Sequence, residues 1–258
     1  MFIHKYMDYK KLENLKYPEL KSIAIEIGIP VRRSKTELYT DIKKSFKEYE
    51  TYKTCKLDKY KKLCRLGERS KETITYLVVT NQDQEYAMKS YRKNKSSVNL
   101  KKEAEFQKTC YDVGISPKLI DIDTVSKYIV MDKLETHLDK QIENQNYVLT
   151  REQQRQIINI YKKLDLIKIY HGDVNLKNFM LDKKGKIFII DFGDSKEITK
   201  NFCIKLGTLT PNVHIMTLGL ALNLKKIGCS ESSYDYLLKY IPEEQLIHFK
   251  ITKSKKIV

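Results

Sequence analysis

The chain has 258 residues, 41% apolar and 32% charged, the fractions of a soluble globular protein with room for one large domain or two modest ones. The longest apolar-rich stretch, VHIMTLGLALNL (213–224), is too short to span a bilayer. The N-terminal MFIHKYMDYKK lacks the apolar core of a signal peptide. Five cysteines without C-x-x-C pairing exclude a zinc ribbon and a disulfide framework, so an intracellular site without membrane contact is expected. The net charge of +16 is uneven, since residues 51–110 hold 15 Lys/Arg against 7 Asp/Glu. Such a field favours polyanions, whether nucleotide phosphates, nucleic acid or acidic protein segments, and it is equally the mark of a solvated lysine-rich surface.

Residues 17–47 read as two short helices. Leu20, Ile23, Ala24 and Ile27 recur at helical spacing. Gly28 and Pro30 stop the first helix. Ser34 with Glu37 forms a capping box for the second, whose apolar face is Leu38 and Ile42. From residue 60 the period changes to that of strands: YKKLCRL, TITYLVVT and EYAMKSY, with NQDQ as the turn between the last two. A helix over 98–113 and two further strands, KLIDID and KYIVMDKL, follow. Thr150 with Gln153 caps a helix that places Ile157, Ile160, Tyr161 and Leu164 on one face. KIFIID is a strand, and 213–226 and 231–240 are helical.

Between these elements lies YHGDVNLKNFMLDKKGKIFIIDFGDSK (170–196). Phosphoryl transfer from ATP needs Mg²⁺ to neutralise spreading charge and a carboxylate to orient the attacking hydroxyl. Hard Mg²⁺ takes oxygen ligands, here a carboxylate and an amide. Asp173, Asn178 and Asp191 suit these tasks. Asp173 and Asn178 share one loop, and a strand, a turn at KKGK and a returning strand would bring Asp191 beside Asn178. His171 braces the loop through backbone hydrogen bonds rather than acting as a base. Cys64 and Cys110 are small core residues.

HGDVNLKN and DFG resemble the catalytic loop and the metal-binding motif of protein kinases. The resemblance implies an α+β, two-lobed fold: a five-stranded antiparallel N-lobe sheet with one helix (53–134) and a reduced, mostly helical C-lobe (135–258), after an N-terminal helical module (1–52). It implies Asp173 as catalytic carboxylate, and Asn178 and Asp191 as Mg²⁺ ligands. Lys89 of EYAMKSY would contact the ATP phosphates and pair with Glu103, preferred to Glu105 because Phe106 and Cys110 share its inward side. Leu66, Gly67 and Ser70 would cover the phosphates, although Arg69 and Glu72 replace two glycines of the usual loop. Ile74 and Ala87 would roof the adenine, Met180 would floor it, Met131 would be the gatekeeper, and Asp132 and Leu134 the hinge.

The departures point further. Gly172 replaces the arginine by which regulated kinases read a phosphorylated activation loop. The segment after Asp191 is short, and His214 occupies the place of the aspartate that usually begins the next helix. Asn175 and Lys177 shift the loop lysine. These features resemble the RIO kinases, the small kinase of the KEOPS complex and compact kinases of large DNA viruses. They imply a Ser/Thr protein kinase that does not require activation-loop phosphorylation. A small-molecule kinase, a partner-complex ATPase and a pseudokinase or DNA-binding scaffold are the rival readings. Residues 17–47 resemble a SAP motif, which implies DNA contact through Arg32, Arg33 and Lys35. The other reading of this stretch is a helical hairpin packed on the lobe.

Overall fold

The computed structural model describes residues 12–27, 29–31, 34–54, 59–67, 72–92 and 94–247. Gly28, Arg32, Arg33, Arg69 and Ser70 lie outside the described residues. The fold is α+β and kinase-like, divided into two compact units. One comprises the described residues up to Lys95 together with Ile120–Lys133, and the other Ser96–Leu119 with the described residues from Leu134 on.

The first unit opens with α1 (Tyr17–Glu26) and α2 (Lys35–Thr54). The expected capping box is present: Ser34 N donates to Glu37 Oε2 at 2.8 Å, and Glu37 N donates to Ser34 Oγ at 3.3 Å. Both helices turn their apolar residues onto the sheet. Leu20, Ile23, Ala24, Ile27, Leu38 and Ile42 form one core with Cys64, Leu77 and Val79. The sheet comprises β1 (Lys61–Leu66), β2 (Thr73–Val79), β3 (Glu85–Tyr91), β4 (Leu119–Asp123) and β5 (Tyr128–Asp132), in the order β1-β2-β3-β5-β4. Its antiparallel register aligns Cys64, Leu77, Ala87 and Met131 in one cross-strand row, and Leu66, Thr75, Lys89 and Ile129 in the next. Directly paired residues share a face, so both rows lie on the side that α1 and α2 partly cover.

The second unit begins with α3 (Ser97–Asp112), whose Ser96 side chain accepts from Val98 N. After β6 (Thr136–His137) and α4 (Leu138–Asn144) comes α5 (Arg151–Leu166), opened by the Thr150–Gln153 capping box. Ile157, Ile160, Tyr161 and Leu164 are all 2% exposed or less, which makes α5 the spine of this core. β7 (Ile169–Tyr170) leads into the motif loop, and β8 (Phe179–Leu181) and β9 (Ile187–Ile189) form the hairpin expected around KKGK. β10 (Lys196–Glu197) pairs with β7, and α6 (Lys200–Leu206) ends on Gly207. The expected helix at 213 begins as a π turn, Asn212–Met216, and continues as α7 (Thr217–Lys226). The expected helix at 231–240 is broken into a 3₁₀ turn (Glu231–Ser233) and the short α8 (Asp235–Leu238). Among the described residues no helix is long and apolar enough to cross a membrane.

Candidate active site

The loop between β7 and β8 is built around a buried histidine. His171 is 0% exposed. Its Nε2 lies 3.0 Å from the Ile190 carbonyl and its Nδ1 3.1 Å from the Asp173 carbonyl. The ring therefore ties the loop to the segment entering Asp191, a bracing role and not that of a base. Burial holds its pKa below the ordinary value, with the two carbonyls and the nearby Asp191 and Asp173 pulling the other way. The sign follows from proton uptake: below about pH 6.5 the unfolded chain binds a proton that the folded ring resists. Stability should therefore fall as pH drops through this window, by at most about 1.4 kcal/mol per pH unit. Urea midpoints at about pH 7.5 and 5.5, for wild type and for His171→Asn, should show a steeper loss in wild type. Equal losses would refute this.

Asp173 is clamped from both sides. Asn175 N donates to its Oδ1 at 3.1 Å, and Asn178 Nδ2 donates to its Oδ2 at 2.7 Å. Asn175 also accepts from Lys177 N and so caps the 3₁₀ turn Leu176–Asn178 that carries Asn178 inward. The backbone then closes onto the next motif, with Ile190 N donating to Asn178 O at 2.9 Å. Asp191 follows in the left-handed region, φ +66°, and Gly193 N donates to its Oδ1 at 3.3 Å. A Cβ placed on Gly193 would lie 3.3 Å from Asp191 Oδ1 and 3.6 Å from Glu103 Oε2, so the carboxylates of Glu103 and Asp191 both approach this glycine. Glu103 is 4% exposed, whereas Glu105 points to solvent. A cavity of about 440 Å³ opens between α3 and residues 192–196, lined in part by Glu103, Phe106, Tyr170 and Phe192.

Gly172 explains itself sterically. Its φ is +87°, and a Cβ there would sit 2.8 Å from the Asp194 carbonyl oxygen. A side chain is thus barred by backbone on one side and by strain on the other. Gly172→Ala should cost about 2 kcal/mol or more in urea unfolding. A loss below about 0.5 kcal/mol would mean that the loop has room to move.

In the first unit, Lys89 is 9% exposed, with its Nζ 5.2 Å from the Tyr91 ring centroid. Ala87 and Met131 are direct cross-strand partners on the face of Lys89. Leu66 ends β1 on the same face, opposite Thr75, and Gly67 follows at φ +66°. Ile74 does not fit its expected place. It pairs with Ser90, which puts it on the opposite face from Ala87 and Lys89, whereas Thr75 and Leu77 share the face of those two residues. Counting from Gly67 misplaces the strand by one residue, and one residue reverses every side chain. Asp132 is an exposed strand end opposite Tyr86. In the second unit Leu134 is half-buried, and Met180 pairs with His137 and Phe188.

The model of the RIO domain matches residues 49–206, more than half of the chain. The chain belongs to the RIO family. Its members are atypical protein kinases and ATPases. No curated protein matches the chain. The RIO match takes in the sheet, α3, α5, the motif loop and Asp191, and it ends with α6.

Just beyond the RIO match lies the residue that the sequence reading missed. His214 was the expected occupant of the helix-start position, but its ring meets the Thr208 and Thr210 hydroxyls instead. Asn212 has the bracing position. Its Oδ1 accepts from His171 N at 3.0 Å, and its Nδ2 donates to Asp165 Oδ1 and to Ile169 O, both at 2.8 Å. Asn223 Nδ2 supports the same loop through Val174 O at 3.1 Å. Gly219 lets α7 approach there, since a Cβ on it would stand 2.9 Å from Val174 Cγ1.

Proposed function

We propose that the protein is an ATP- and Mg²⁺-dependent phosphotransferase that passes the γ-phosphoryl group to a serine or threonine hydroxyl of a protein. The observation that carries this reading is the clamp on Asp173. A carboxylate held by one backbone and one side-chain donor has a fixed direction from which to receive an acceptor proton.

The residues present fit Mg²⁺. Asn178 commits its amide nitrogen to Asp173, which leaves its oxygen for a cation, and Asp191 is an exposed carboxylate. Among the described residues no group of three His, Cys, Asp or Glu could hold a metal ion. Mg²⁺ takes one or two protein oxygens and fills the rest with water and phosphate. Asn178 and Asp191 would hold the ion, and the ion would neutralise charge on the transferring group. Lys89 and Glu103 would align the phosphates.

The same reading holds that activity needs no activation-loop phosphate. Gly172 has no space for a phosphate-reading arginine, and β10 is already anchored to β7 by backbone pairing. The test is radiolabelled ATP with Mg²⁺ or with chelator, offering casein, a basic protein and water as acceptors. Mg²⁺-dependent label on serine or threonine is expected, unchanged by prior phosphatase treatment. Release of free phosphate alone would replace the kinase reading with that of an ATPase. Loss of activity after phosphatase would overturn the activation-loop argument.

A further inference from the structure

The sheet of the first unit has a second face, opposite Ala87 and Lys89. Four half-buried tyrosines, Tyr60, Tyr76, Tyr86 and Tyr128, pack there with Ile120 over Val78, Met88 and Val130. Tyr76 stands beside Met88 in the register, Tyr86 beside Val78, and Tyr128 beside Ser90. The core residues of α1 and α2 join Leu77 and Val79 on the other side. Among the described residues of this unit, the tyrosine rings are therefore the outer layer of this face.

Cations lie over two of the rings. Lys62 Nζ lies 4.5 Å from the Tyr76 ring centroid, and Lys59 Nζ 5.2 Å from that of Tyr60. Tyr60 and Tyr128 meet edge to face at 6.2 Å. Lys62 and Arg65, both exposed, pair with Val78 and Tyr76 and so project on this face. Acidic groups stand here too: Asp121 binds Lys59, Asp123 lies near Tyr128, and Asp132 sits opposite Tyr86 at one corner. Covering three aliphatic side chains needs bulk, but it needs neither a set of phenol rings nor lysines over them.

We propose that this face binds single-stranded nucleic acid, with bases stacked on the tyrosines and phosphates meeting Lys59, Lys62 and Arg65. A strand with exposed bases uses both features of the surface, rings and charge. An acidic peptide would use the charge alone, and a duplex hides its base faces. This inference stands independently of the phosphotransfer reading, because none of the residues that would meet the strand belongs to that site.

The full chain should bind a short labelled oligouridylate at low salt and quench its own tyrosine emission, a clean signal because the chain has no tryptophan. Lys62→Glu with Arg65→Glu should weaken binding more than about tenfold and lower the salt slope by about 1.4, two single-strand phosphate contacts. Tyr76→Leu and Tyr128→Leu, which keep an apolar cover over the sheet, should each weaken it about tenfold with the slope unchanged. ATP turnover should be unaffected in the charge variant, whose side chains are exposed. The proposal is overturned if the charge variant binds as wild type does, or if oligouridylate paired with oligoadenylate binds equally well. Polyglutamate competing as strongly as the oligonucleotide, with no effect of the tyrosine changes, would assign the face to an acidic protein instead.

Discussion

Asp173→Asn should reduce phosphoryl transfer by about a thousandfold, within the range of 10²–10⁴ for a positioned general base. Nucleotide affinity should change little. The substitution retains one oxygen and so can still accept from Asn175 N, which now meets Asp173 Oδ1 at 3.1 Å. It replaces the other oxygen by an amide that faces Asn178 Nδ2, the donor now 2.7 Å from Asp173 Oδ2. Two donors then oppose each other, and Asn178 must turn. The variant thus loses proton acceptance outright, and the orientation of the neighbouring amide is disturbed. Single-turnover rates at saturating ATP measure the first effect, and ATP binding followed by calorimetry separates the second. Wild-type rates within a factor of ten would remove Asp173 from the reaction. An unchanged rate with weakened ATP binding would make the clamp a nucleotide-binding device. Asn178→Ala, which leaves the carboxylate at 173 in place, should by contrast raise the Mg²⁺ concentration needed for half-maximal rate.

How much of this was legible in the sequence depends on how far apart the interacting residues lie. His171, Asp173 and Asn178 share one loop, and Asp191 is returned to them by a hairpin whose turn, KKGK, is plain in the chain. Local geometry of this kind survives any detail of packing. The inward side of α3 was legible too, because helical spacing alone puts Glu103 with Phe106 and Cys110, and all three are buried. One error comes from counting across irregular backbone. Ile74 was placed by its distance from Gly67 across a loop, and the register instead puts Thr75 and Leu77 on the face of Ala87 and Lys89. His214 was assigned by likeness to the family's helix start, and the side chain that reaches His171 N is instead that of Asn212, the first residue of a π turn. The bond from Asn212 to His171 joins residues 41 positions apart, and that to Asp165 spans 47. No periodicity signals such pairs.

The largest stability effect is expected from Asp165→Ala. Asp165 is 4% exposed on the last turn of α5. Its Oδ1 accepts from Asn212 N at 3.0 Å and from Asn212 Nδ2 at 2.8 Å, and its Oδ2 from Val213 N at 3.0 Å. Burial holds its carboxyl pKa above the ordinary value, with these three donors and the nearby His214 pulling the other way. Alanine removes the acceptors of Asn212 N and Val213 N, both in buried residues, and leaves Asn212 Nδ2 with Ile169 O alone. At about 1–3 kcal/mol for each buried unsatisfied group, with some relaxation, the cost should be about 3–5 kcal/mol. Asp165→Asn keeps the shape and one good acceptor, but it turns an N–H toward Val213 N, so about 2 kcal/mol is expected. The consequence should reach catalysis through a defined chain. Asp165 fixes Asn212, Asn212 holds His171 N, and His171 ties the Asp173 loop to the strand leading into Asp191. At a temperature where Asp165→Asn remains folded, kcat should therefore fall while KM for ATP stays near wild type. A cost below about 1 kcal/mol for the alanine variant would show that α5 and the π turn hold together without the carboxylate. A full cost with unchanged kcat would show that the carboxylate supports the core but not the loop.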